Sequence, residues 1–425
     1  MATLALLMIV AAAMAAPAIA QTPGALSQES ELATLSEVGP HEGLLPEPHL
    51  FRRSIEFASQ VVTNIDRGEV KSGFYSELSN MVTGAGWLSA GPGYRHWFFG
   101  DRVIVDGSAA ISWRSYKTAQ ARFELTNLVH SRLALGSQVR WQDLTQVTYF
   151  GEGAAALESN RSEYRMESTS VVGYSVVRPL RQLAIEGRVG WLGRPELSAP
   201  GGTFRRGNMA TRDVLPDDPV FTTLRQPSYA YQELLLSLDT RDHRSYPTRG
   251  GVYRTGWTRY SDQDEGPFSF RRFEAEAAHF LPMARWHLVL ATHGWLVASG
   301  ANEREIIPFY LLPSLGGHNS LRAYSDFRFH DRNLVVVNAE ARVALFTHLD
   351  AAAFLDAGNV APSVGELNFE KTALGIGLRL HTQRATFARF DIAHGQEGWR
   401  FFFRTSDPLQ LSRLLRRTAA APFAP

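Results

Sequence analysis

Two residues in this chain carry opposite charge in settings where charge is expensive. The run Leu315-Gly316-Gly317-His318-Asn319-Ser320-Leu321-Arg322-Ala323-Tyr324 places an arginine in a Gly-rich loop. The run Phe354-Leu355-Asp356-Ala357-Gly358-Asn359-Val360 places an aspartate inside an apolar strand pattern. A carboxylate in such a strand is costly to bury unless a cation meets it. The available chemistry is therefore ionic. Arginine offers a planar, permanently charged fork that matches one carboxylate.

Catalytic alternatives find little support. The chain has neither Gly-x-Ser-x-Gly nor His-Glu-x-x-His, so no hydrolase elbow or zincin helix is encoded. His279, His287 and His293 lie in or beside strands without ligand spacing, which makes them lumen or interface histidines. Gly151-Glu152-Gly153 lacks the following helix of a phosphate loop. Asp239 and Asp242 flank a turn, where a structural role outweighs cation binding. The sequence predicts no enzyme, no cofactor and no metal site. Cysteine is absent, which removes disulfides, thiolate ligands and a thiol nucleophile together and suits an oxidising compartment. A net charge of +1 argues for no nucleic-acid partner.

The elements that must position these residues alternate. Val103, Val105, Ala109, Ile111 and Trp113 share one face; Asp106, Ser108, Ser112 and Arg114 share the other. The same holds for Leu183 to Trp191 against Glu186 and Arg188, and for Phe273 to Ala277 against Arg272, Glu274 and Glu276. Val335 to Leu345 opposes Asn338, Glu340 and Arg342; Leu374 to Leu380 opposes Arg379 and His381. Ala388, Phe390 and Ile392 oppose Arg389 and Asp391. Successive side chains in a strand point to opposite faces. Turn-rich stretches separate the runs, and no helical stripe of useful length lies between Lys71 and Phe403, so the fold class is all-β. Aromatics near segment ends and charges of both signs on the polar faces favour a membrane barrel over a soluble sandwich. An open sheet cannot sit in lipid, because its edge amides would be unsatisfied. Residues 70–404 accommodate about 16 antiparallel transmembrane strands.

The remaining segments are short. Leu4 to Ala20 is uncharged and mostly apolar and ends in Ala18-Ile19-Ala20, the pattern of a secretory signal peptide over residues 1–20. Residues 21–69 form a short N-terminal periplasmic extension in which Phe51 to Val62 has helical apolar spacing. Residues 405–425 form a C-terminal tail whose Leu411, Leu414 and Leu415 alternate with Arg413, Arg416 and Arg417; a basic surface helix and a solvated tail are both open.

The motifs together resemble the BamA/TamA family, the bacterial surface antigen barrels of the Gram-negative outer membrane. In that family an aliphatic-Arg-Gly-aromatic motif tips a long extracellular loop folded into the lumen; Leu321-Arg322-Ala323-Tyr324 matches it, with alanine in place of glycine. Phe354, Asp356 and Gly358 match an aromatic-x-Asp-x-Gly strand. Asp239-Thr240-Arg241-Asp242 followed by Tyr246-Pro247-Thr248-Arg249-Gly250-Gly251 resembles the mid-barrel turn, and Phe150-Gly151-Glu152-Gly153 and Asn338-x-Glu340-x-Arg342 also fit. The resemblance implies a lumen loop lock of Arg322, Asp356, Tyr324, Gly316, Gly317, Phe354 and Gly358. It also implies lumen-facing charges at Glu340, Arg342, Arg389 and Asp391. The mid-barrel motif is Asp239, Arg241, Asp242, Pro247 and Gly250. It implies a barrel-only member without POTRA domains, assisting insertion or translocation of proteins or lipids. The seam between first and last strands would open sideways, weakened by Gly84, Gly86, Gly91 and Gly93. Its partners would be outer-membrane lipid, client outer-membrane proteins or lipids, and the barrel assembly machinery for its own insertion. A passive porin or pore-forming channel is the alternative, with an outer-membrane enzyme third.

Overall fold

The computed structural model describes residues 43–404 except 50, 54, 56–71, 80–88, 101, 203–208, 223–225, 244–245, 284–287, 303–304 and 382–385. The expected signal peptide and C-terminal tail, with Gly84, Gly86 and His287, lie outside the described residues. Sixteen long strands form one antiparallel series among those described. They are β1 (Gly73–Ser79), β2 (Ser89–Phe98), β3 (Val103–Ser112), β4 (Lys117–Asn127), β5 (Leu133–Tyr149), β6 (Ser162–Val177), β7 (Leu183–Leu192) and β8 (Tyr229–Asp239). There follow β9 (Gly250–Asp262), β10 (Phe270–Met283), β11 (Leu288–Gly300), β12 (Asn333–Phe346), β13 (Leu349–Ala361), β14 (Lys371–His381), β15 (Thr386–Gly395) and β16 (Gly398–Arg404). Each pairs with the next in the chain. Among the described residues, no helix is long and apolar enough to cross a membrane.

The burial pattern is inside out relative to a soluble protein. On β7, Val189 is 66% exposed while its neighbour Arg188 is 4% exposed. On β14, Leu374, Ile376 and Leu378 are exposed and Arg379 is buried; on β15, Phe390 and Ile392 are exposed and Arg389 and Asp391 are buried. A two-residue period with the apolar set outward and the charged set inward is what lipid outside and a polar lumen inside select.

The longest connections share one end. Those spanning 150–161, 193–228 and 301–332 leave one end of the sheet, whereas 347–348 links β12 to β13 at the other. Long loops mark the extracellular end of such barrels and short turns the periplasmic end. At the short-turn end the N-terminal segment meets the β12–β13 hairpin. The amides of Leu44 and Leu45 donate to the carbonyls of Ala344 and Leu345 at 3.0 and 2.9 Å. Glu47 lies 3.0 Å from His348, and the Phe51 ring tilts against Phe346. Residues 51–53 and 55 are helical and Ile55 is buried; the rest of the helix expected over Phe51–Val62 is outside the described residues.

The strands that bound the series are its shortest long strands, β1 and β16. On β2, the β3 ladder skips Gly91 and Pro92, and proline supplies no donor there. A Cβ on Gly91 would sit 1.8 Å from the Ala109 carbonyl oxygen, so glycine here permits close approach of two backbones.

A charge placed on the outward face should be costly in lipid. Leu355→Arg is expected to lower unfolding free energy by about 2–4 kcal/mol, read from urea unfolding in lipid vesicles. An unchanged midpoint would mean that this face is not in the hydrocarbon.

Candidate functional site

The 301–332 connection enters the lumen and is closed at its base by a two-residue ladder. Ser314–Leu315 pairs with Phe329–His330, and His330 bridges to Glu152 of the β5–β6 connection. Gly316 and Gly317 take φ of +119° and +91°, a conformation that side chains with a Cβ rarely adopt. That turn lets Ser320 Oγ accept from the Gly316 amide at 3.0 Å and donate to its carbonyl at 2.9 Å. The Gly317 amide donates to the Tyr324 carbonyl. Ala323 takes no positive φ, so the turn does not require glycine at that position.

The loop's apolar side chains hold it against the wall. Leu315, Leu321, Ala323, Tyr324 and Phe329 are buried with Val297, Leu334, Val336, Phe354 and Val360. This packing aims Arg322 at β13. Its backbone amide donates to Asp356 Oδ2 at 3.0 Å, Nε to Oδ2 at 2.9 Å and Nη2 to Oδ1 at 2.7 Å. Nη1 donates to Glu340 Oε2 on β12 at 2.5 Å. The guanidinium carbon lies 3.4 Å over the Phe354 ring. That ring in turn needs Gly375 beneath it, where a Cβ would come within 2.3 Å. Burial works against the Arg322 charge, and the carboxylates of Asp356 and Glu340 overcome it, holding the guanidinium above its ordinary range.

Asp356 and Glu340 belong to a ladder of buried charges across six strands. Arg379 (β14) donates to Glu340 at 3.1 and 2.9 Å and to Asp391 (β15) at 2.6 Å. Arg342 donates to Glu340 at 2.9 Å. Arg389 lies 3.1 Å from Asp391 and donates from Nη2 to the His318 carbonyl of the loop. On the other flank, Asn338 Nδ2 donates to Asp356 at 2.8 Å and to the Ser320 carbonyl at 2.6 Å. Its two acceptors fix the amide, so Asn338 Oδ1 faces His293 Nδ1 (β11) at 2.8 Å, and that nitrogen carries the hydrogen. His293 Nε2 then meets Glu276 (β10) at 2.9 Å.

A second set of contacts joins the loop to the last hairpin. Arg400 on β16 donates to the Ala323 carbonyl at 3.1 Å. Tyr324 donates to Gln396 at 3.3 Å, and Arg328 donates to Glu397 at 2.6 Å and to the Ala156 carbonyl at 2.8 Å. Arg328 also lies over the Phe150 and Phe329 rings. Sequence reasoning did not single out Arg328, Glu397 or Arg400; for Arg400, alternation along β16 was the available signal.

The mid-barrel motif occupies a different place. Asp239 chelates Arg241 at 2.9 and 2.8 Å, and Asp242 accepts from Thr248 Oγ1 at 2.5 Å and its amide at 3.0 Å. Pro247 lies between these anchors and Gly250 opens β9. Both aspartates therefore serve the β8–β9 turn. Tyr246 from the same turn donates to Asp350 at 2.5 Å and stacks on His381 at 3.8 Å. Its target is thus the short-turn end of β13, while Arg322 binds further along that strand. His279 meets Tyr253 on the outward face at 2.6 Å. Among the described residues, no group of three or more His, Asp or Glu side chains is arranged to hold a metal ion.

Comparison with known proteins adds the following. Residues 228–404 match the model of the Omp85 superfamily domain, the stretch that contains Arg322, Asp356 and the whole carboxylate ladder. No curated protein matches the chain. Among solved structures, BamA from Haemophilus ducreyi lacking POTRA domains 1-3 is similar at 14% identity and TM-score 0.57, covering 88% of this chain and 81% of that one. CdiB from Acinetobacter baumannii is 11% identical over 82% of this chain and 67% of that one, with TM-score 0.47. CdiB from Escherichia coli is 12% identical over 78% and 61%, with TM-score 0.49. The strand series shares its fold with the BamA barrel, and residues 228–404, which hold the charged ladder and its loop, are similar to the Omp85 superfamily domain.

Proposed function

We propose that this barrel inserts or translocates proteins or lipids at the outer membrane, and that the 301–332 loop, held by Arg322 on Asp356 and Glu340, is the lock that sets the state of its lumen. The observation that carries the reading is the placement of one loop on two supports. Its tip is salt-bridged into the β12–β15 ladder, and its flank is tied to β16 through Arg400 and to the β15–β16 turn through Glu397. β16 is one border of the strand series, and no pairing joins it to β1 among the described residues. The loop therefore touches the strand that would move if the series opened sideways.

The same geometry disfavours a passive pore. Many lumen charges are engaged by one another and by the loop, which leaves fewer to draw ions through. A removed partner leaves the other charge buried and unmatched, which costs about 3–5 kcal/mol. Arg322→Ala and Asp356→Ala should each produce that loss in urea unfolding. Because both remove the same contact, the double variant should be no worse than either single; fully additive losses would show that the two side chains act independently.

The functional reading is tested by depletion of the protein followed by a quantitative census of outer-membrane proteins and lipids. Loss of particular barrels or lipids is expected and names the cargo. An unchanged census, with a large steady single-channel conductance in planar bilayers, would replace this reading with a porin.

A further inference from the structure

The outward face carries one pair of charges that the barrel itself leaves unmatched. Arg259 on β9 and Arg271 on β10 are both exposed, while their neighbours Thr258, Tyr260, Phe270 and Arg272 are buried on the lumen side. The two arginines stand directly opposite each other in the ladder. Gln232 of β8 flanks Arg259 and Gly300 of β11 flanks Arg271, so that row holds no carboxylate. Like charges directly opposite destabilise a strand pair. Among the described residues, no side-chain hydrogen bond or ion pair engages either guanidinium.

Two acids of the adjoining turn have partners of their own. Asp264 takes Arg194 at 2.5 Å and Ser228 at 2.8 and 2.9 Å, and Asp262 accepts the Asp264 amide. Glu265 of the same turn is exposed and forms no ion pair with either arginine. Elsewhere on the same rim two other cations are neutralised. Arg165 chelates Asp143 at 2.7 and 3.0 Å, Lys117 lies 3.5 Å from that carboxylate, and Arg165 also approaches Glu167.

The depth of the pair is marked by its neighbours. One row toward the barrel middle, Trp257 stands opposite Phe273, both outward and exposed, beside Leu234. Aromatic side chains collect where hydrocarbon meets headgroups. The arginines thus sit at headgroup depth on the long-loop side. Gly300 leaves open space next to Arg271, for a Cβ there would meet nothing within 4 Å.

We propose that Arg259 and Arg271 form a binding site for the phosphorylated headgroup of an outer-leaflet lipid. Two guanidinium forks can each chelate a phosphate oxygen pair, and the phosphate removes their mutual repulsion. The site rests on the placement of the barrel in the membrane and is independent of what the barrel transports. It is tested with the full chain purified in detergent and titrated with lipid A, a bisphosphorylated glycolipid, while the unfolding temperature is followed. Lipid A should raise that temperature, and R259Q/R271Q should weaken its apparent affinity by about tenfold or more. R259K/R271K should fall between. Dephosphorylated lipid A and inorganic phosphate should produce no shift. Equal lipid A affinity in wild type and R259Q/R271Q would overturn the proposal, as would an equal shift from inorganic phosphate. Heat-modifiable migration on gels verifies each folded barrel, and R259Q and R271Q singly carry the test if the double variant does not fold.

Discussion

A carboxylate and a guanidinium removed from water must satisfy each other or unfold the place that holds them. That constraint organises this lumen. Asp356 accepts four hydrogen bonds from Arg322, one of them from the backbone amide. The carboxylate thus reads the position of the loop's main chain as well as its side chain. Glu340 is shared by Arg322, Arg379 and Arg342. Displacing the loop leaves two carboxylates with part of their partners missing, and each neighbour in the ladder feels the loss. Buried ion pairs are weak sources of stability but strong sources of geometry when one partner is removed. Here the geometry is the seat of one loop.

The apolar contacts do the complementary work. Leu321, Ala323 and Tyr324 are buried beside the arginine they flank, so hydrophobic packing brings the charge to its partner rather than leaving a long flexible side chain to find it. Gly316 and Gly317 make the reversal that this requires. Phe354 lies under the guanidinium, shielding it from water and adding a cation–π contact. One sequence run therefore supplies the turn, the apolar anchor and the charge, and one strand supplies the aromatic floor and the carboxylate.

Much of this was legible in the chain. The strict period of two made Asp356 and Phe354 share a face and sent Leu355 to the other; the burial pattern of β13 follows that alternation. The strand series and its inward charges came from the same rule, applied to β3, β7, β12, β14 and β15. What alternation cannot show is which lumen charges meet, because the partners lie on different strands whose register is set by turns of variable length. Glu340 as a hub and Arg400 as a tether were invisible for that reason. The positive φ values fall on Gly316 and Gly317 and not on Ala323, whose methyl packs near Gly395. The glycines near the seam divide likewise: Gly93 accommodates the Tyr75 ring and Gly91 a close backbone, so both ease packing between neighbouring strands rather than forming turns.

The central claim is that the loop is seated by the carboxylate of Asp356, and the amide of Arg322 reports on that seat directly. Hydrogen exchange of residues 316–324 in the bilayer-reconstituted protein measures it. The account predicts strong protection at Arg322 in the native chain and its loss, together with that of Gly317 and Tyr324, in Asp356→Asn. Rapid exchange at Arg322 in the unmodified protein would contradict it.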